Sequence, residues 1–101
     1  MKENKKIVPI IYRAIDIMKK CMGDPDLEIE ILSKEMYRKP ADKYAKAGRL
    51  GVDIKICGLK TFMGCESMAE EIACTPFGDI IAKEFVMGII RTGYPEVFKI
   101  N

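Results

Sequence analysis

Residues 51 to 65, "GVDIKICGLKTFMGC", hold the chain's clearest candidate for chemistry: Cys57, at the end of a run in which Val52, Ile54 and Ile56 alternate with Asp53, Lys55 and Cys57. The thiolate is the reactive form of cysteine, and nearby cations and unpaired backbone N–H groups favour it. Lys55 and Lys60 are the nearby cations. If the backbone beyond Cys57 turns into a helix start, N–H groups from Gly58 to Lys60 face the sulfur as well. A plainer account fits the same residues: Cys57 is a small buried hydrophobe and Gly58 allows a turn. Cys65 and Cys74 flank the next segment. Either is a candidate to resolve a persulfide or disulfide on Cys57, or else to pack. Cys21 lies apart, as filler on a helical segment.

Other cysteine chemistry is disfavoured by spacing. The four cysteines form no Cys-x-x-Cys pair and the chain has no histidine. A structural zinc would need all four sulfurs gathered from distant segments. Ser-His and Cys-His catalytic pairs have no histidine to use. The expectation is neither metal nor cofactor.

The elements that would position Cys57 emerge from periodicity. From Pro9 to Met22 apolar residues recur at steps of three and four, with Lys19 and Lys20 in the last turn and Gly23 beyond, which predicts a helix. "KKIV", residues 5 to 8, could form a short strand that Pro9 limits. "DLEIEIL", residues 26 to 32, alternates Leu27, Ile29 and Ile31 with glutamates and predicts a strand. Ser33 can cap a helical turn and Pro40 can start a second helical piece ending at Gly48 or Gly51. Val52 to Cys57 reads as the next strand. Between 59 and 74 the spacing permits a loop with about two helical turns around Ser67 to Ala73. Thr75-Pro76 then opens a helix to about Arg91, before Gly93, and "PEVFKI" could close the fold as a strand. Strands alternating with helices at this spacing imply βαβ units, hence an α/β fold with a mainly parallel sheet and helices packed on it. Residues 1–101 form a single domain, without repeat or linker.

Composition bounds the partners. The 17 basic and 15 acidic residues nearly cancel, so net charge names none. Residues 34 to 49 gather Lys34, Arg38, Lys39, Lys43, Lys46 and Arg49 around Tyr37 and Tyr44. A solvated helix face accounts for that segment as well, and nucleic acid is not the expected ligand; an acidic protein partner stands level with it. No apolar run approaches the roughly 18 residues of a membrane span, and the basic N-terminus leads to no cleavage site. The expectation is a cytoplasmic protein with reduced thiols and no membrane contact. Between Ile80 and Ile90 only Lys83 and Glu84 are charged. A helix apolar nearly all round needs cover on two sides, which predicts a homo-oligomer.

"LGVDIKICGLKTFMG" resembles the DsrE/TusD-like sulfur-relay family, in which a Gly-Val pair leads a strand that ends in a cysteine, followed by a Thr or Ser and a glycine. The matching residues are Gly51, Val52, Cys57, Thr61 and Gly64. "RAIDIMKK" resembles the family's first helix and "LEIEIL" its second strand. "TPFGDIIAKEFVMGIIRTGY" resembles the family's last helix, with Pro76, Gly78 and Gly93-Tyr94 in place. The resemblance implies the family's three-layer DsrE-like fold and a role for Cys57 in accepting persulfide sulfur from a donor protein and passing it to an acceptor. Lys55, Gly58, Lys60, Thr61 and Gly64 would support it. The alternative is a non-catalytic oligomeric binding or regulatory module on the same fold.

Overall fold

A computed structural model describes residues 6–24, 26–40 and 48–98. Helix α1 (Pro9–Cys21) begins with its proline where a missing N–H costs nothing, and it buries Ile11, Ala14, Ile15 and Met18 on one face. Val8 before it is extended and belongs to no strand, so the strand expected over residues 5 to 8 does not form at the described residues 6 to 8. Four strands come next: β1 (Ile29–Ile31), β2 (Tyr37–Lys39), β3 (Arg49–Ile56) and β4 (Leu59–Gly64). A π-helical turn (Cys65–Ala69) leads into α2 (Glu70–Cys74), and α3 (Gly78–Gly93) ends the fold with a 3-10 turn at Pro95–Phe98.

The sheet is antiparallel throughout, which overturns the mainly parallel βαβ architecture and, with it, the fold that the DsrE-like resemblance implied. The reason lies in the connections. A parallel pair needs a crossover of roughly a dozen residues or more, usually helical. Residues 33 to 39, expected to begin such a helix, instead form a turn and β2, while the second helical piece expected from Pro40 lies mostly outside the described residues. From β3 the chain returns directly through Cys57 and Gly58, which pairs Ile56 with Leu59. β1 and β2 lie end to end along one edge of β3, and β4 lies along the other.

β1 and β2 are one strand interrupted by a wide bulge. Ile31 faces Ile54 and Tyr37 faces Gly51, so six positions on the outer strand advance against three on β3. Side chains of β3 then sort by parity. Leu50, Val52, Ile54 and Ile56 are buried against the helices together with Ile11, Met18, Ile72 and Val86. Arg49, Gly51, Asp53 and Lys55 point to the other side, which no helix covers among the described residues. The described residues therefore form two layers, and among them one sheet face is bare.

The last third corrects further expectations. Leu59–Gly64 is a strand rather than a loop, and helical structure runs from Cys65 to Cys74, around the turns expected near Ser67 to Ala73. Thr75 does not cap α3: its hydroxyl donates to the Glu71 carbonyl at 2.6 Å and closes α2, so α3 starts later, after Phe77. Pro95–Phe98 is a 3-10 turn where a closing strand was expected, and the rest of that strand lies outside the described residues. Among the described residues no helix is long and apolar enough to cross a membrane.

Candidate functional site

Cys57 sits in a hairpin turn, not at a sheet edge that opens into a helix. Its φ of 51° and the 86° of Gly58 are both positive, as a two-residue type I′ turn requires. Its N–H donates to the Glu28 carbonyl at 2.8 Å, and its own carbonyl accepts from the Tyr94 hydroxyl at 2.8 Å. The side chain is half-buried and packs against the core. Strand β4 begins directly after Gly58, so the helix-start N–H groups that would have favoured a thiolate do not form here.

The residues expected to support Cys57 are dispersed. Lys55 and Lys60 are cross-strand partners on the bare face, and Lys55 reaches Glu30 at 3.9 Å. Thr61 pairs with Ile54 on the helix side, and Gly64 is buried opposite Gly51. Gly58 is exposed. Cys65 lies beyond the far end of β4, a strand about 17 Å long at the usual rise, well past the roughly 7 Å between Cα atoms that a disulfide tolerates. Burial raises the Cys65 thiol above its ordinary pKa, and Glu66 and Glu70 push it the same way. Cys74 is exposed at the end of α2. Cys21 donates to the Met18 carbonyl at 3.3 Å on α1; desolvation first, then Asp79, raises its pKa.

The bare face does assemble a cluster. At its centre is Phe62, only 8% exposed, whose ring lies over Gly51; a Cβ on Gly51 would strike this ring and the Met63 carbonyl. Tyr37 meets the Phe62 ring edge-on at 5.6 Å and 74°. Lys39 Nζ and Arg49 Cζ stand over the same ring at 5.3 and 5.4 Å from its centroid. Asp53, beside Phe62, stitches the bulge. One carboxylate oxygen accepts from the Tyr37 hydroxyl at 2.8 Å, the other from Ser33 at 3.4 Å, and the Asp53 N–H donates to Ser33 Oγ at 2.8 Å. Ser33 thus replaces a ladder bond that the bulge removes. Burial, then the bond to Asp53 and its charge, raises the Tyr37 pKa.

Charge on this face is arranged against stability. Lys39 lies directly opposite Arg49, and Lys55 directly opposite Lys60. Like charges in opposed positions destabilise a sheet, by about 0.2–1 kcal/mol each. Glu30 attends Lys55, and Asp53 is held within the bulge, which leaves Lys39, Arg49 and Lys60 with no carboxylate partner among the described residues. Leu32, Lys39, Asp53, Lys60 and Phe62 line one shallow depression of about 420 Å³.

Sequence reasoning singled out Lys55 and Lys60, but as partners of a thiol, and placed Tyr37, Lys39 and Arg49 on a helix. Phe62 and the role of Asp53 escaped it. The available signal was the two-residue interval between the runs ending at Ile56 and starting at Leu59, which sets Lys55 against Lys60. Comparison with family models, with curated protein sequences and with solved structures found no match.

Proposed function

We propose that this chain is a non-catalytic binding module that holds an anionic partner on the bare face of its sheet. One observation carries the reading: two like-charge pairs, Lys39 with Arg49 and Lys55 with Lys60, stand on a single uncovered face at a cost to the fold. A purely solvated face is served as well by alternating signs, as Glu30 opposite Lys55 illustrates. A depression lined by Lys39 and Lys60 offers an anion two cations at once.

Self-association through α3 belongs to the same reading. Phe77 and Ile80 are 63% and 65% exposed, and Ile81, Phe85 and Ile89 touch the core yet remain partly open to solvent. A second copy would cover them and leave the sheet face free for the ligand. Persulfide carriage by Cys57 draws no support from its setting: a half-buried thiol in a hairpin turn, with its supporting cations turned to the bare face and Cys65 a strand away.

Heteronuclear NMR with polyanionic probes, poly-L-glutamate and inorganic polyphosphate, tests the proposal. Amide shifts are expected at Lys39, Arg49, Asp53, Lys60 and Phe62 and not along α1 or α3. Shifts confined to the helical layer, or none with any polyanion, refute it.

A further inference from the structure

Resting on the anionic-partner reading, we infer that the bare face binds single-stranded nucleic acid, with phosphates at its two basic ends and a base over the aromatic centre.

The order of groups along β3 decides the class of anion. Lys39 and Arg49 form one cationic end and Lys55 and Lys60 the other. Residues 49 and 55 of one strand lie about 20 Å apart. Between them are Phe62, Tyr37 and the Asp53 carboxylate. A uniformly acidic peptide or polyphosphate laid along this face would bring negative charge onto Asp53. A nucleic-acid strand alternates charged and flat apolar parts, and it can set its charge at the ends and a base in the middle. There the base meets ring surface, and Asp53 can accept from a ring N–H, such as that of uracil, or from an exocyclic amino group. Lys39 and Arg49 now lie over Phe62. A phosphate gives them a stronger, charge-assisted contact than the ring does, so ligand binding draws them outward and uncovers the ring for stacking. The length fits the short end of the roughly 4–16 nucleotides held by known single-strand folds. A duplex does not present unstacked bases to a flat sheet, so the single strand is the preferred form.

Fluorescence anisotropy of 5′-fluorescein octauridylate with the full chain tests this. With Lys39, Arg49 and Lys60 each neutralising a phosphate, the affinity should fall roughly 20-fold between 50 and 200 mM salt, at a log–log slope near −2. Lys60→Ala should flatten this to roughly 7-fold, while Lys83→Ala, an exposed cation on α3, leaves it unchanged. Circular dichroism melts confirm that both variants fold. Ring resonances of Tyr37 and Phe62 should shift upfield with octauridylate and stay in place with polyphosphate. If poly-L-glutamate or polyphosphate binds this face and octauridylate does not, nucleic-acid binding is refuted and the anionic-partner reading stands. If none of the three binds, both fall. Octauridylate binding whose salt slope ignores Lys60→Ala, or that leaves the rings unshifted, also overturns the inference.

Discussion

Replacing Cys57 with asparagine should stabilise the protein, because the turn holds this residue at φ 51° and asparagine tolerates that conformation better than cysteine does. A non-glycine L-residue in the left-handed region costs about 1–2 kcal/mol, and asparagine recovers much of that through local hydrogen bonding. The substitution forfeits the packing of a half-buried thiol, about 0.5 kcal/mol. The net expectation is a gain of about 0.5–1.5 kcal/mol, worth roughly 4–8 °C in melting temperature per kcal/mol for a domain near this size. Cys57→Val makes the opposite demand. Its β-branched side chain suits the left-handed region less than cysteine, so it should lose about 1–2 kcal/mol. Urea unfolding of the three proteins, followed by circular dichroism, reads the order directly. Valine equal to or above asparagine would refute the type I′ assignment and the placement of Cys57 in it. Anion binding should survive Cys57→Asn, since the turn lies beyond the Lys55 to Lys60 pair rather than between the cations.

Cys57 should take up no more sulfur than exposed Cys74 when the intact protein is treated with sulfide and a persulfide donor; selective loading of Cys57 by mass spectrometry would restore the sulfur-carrier role. Ile80→Glu should shift sedimentation velocity toward an 11.4 kDa monomer, and a wild-type chain that is already monomeric at micromolar concentration refutes association through α3. The Tyr37 pKa is raised in the folded state, so its stabilisation is complete below the unfolded value near 10 and is lost as pH rises through the folded value. Melts from pH 8 to 12 should therefore fall more steeply in wild type than in Tyr37→Phe, and equal slopes would refute the Tyr37–Asp53 contact.

Elements whose side chains keep to one period were legible in the sequence. α1 buries Ile11, Ala14, Ile15 and Met18 at helical spacing, and β3 buries Leu50, Val52, Ile54 and Ile56 at a period of two, so both emerge from patterning alone. β4 did not, because Phe62 faces the bare side while Thr61 faces the helices, which reverses the polarity the period should show. The hairpin was hidden for a related reason. Two residues separate its strands, but a cysteine occupies the position where asparagine or glycine usually announces a type I′ turn. β2 has three residues, two of them cationic, and its pairing depends on a bulge whose stitching residue, Asp53, lies 16 positions from Tyr37 and 20 from Ser33. The candidate site inherits all three obscurities. Its parts are contributed by β2, β3 and β4, and only the register brings them onto one face.

Stability and ligand affinity should then move in opposite directions at one residue. Lys60 faces Lys55 across the hairpin, and Lys60→Glu turns a repulsive pair into an attractive one. Opposite and like charges in directly opposed positions each shift stability by about 0.2–1 kcal/mol, so the reversal should stabilise by about 0.5–1.5 kcal/mol. Glu30 lies on the far side of Lys55 at 3.9 Å and would share that lysine with the new carboxylate, which places the gain toward the lower end. The same change puts a negative charge into the depression lined by Lys39 and Asp53 and should abolish binding of polyanions there. If the like-charge pair were only an accident of a solvated surface, Lys60→Glu would raise stability and leave polyanion affinity where it was. Urea unfolding and anisotropy on the one variant separate the cases, and a variant both less stable and fully able to bind would show that the pair does not sit where the register puts it.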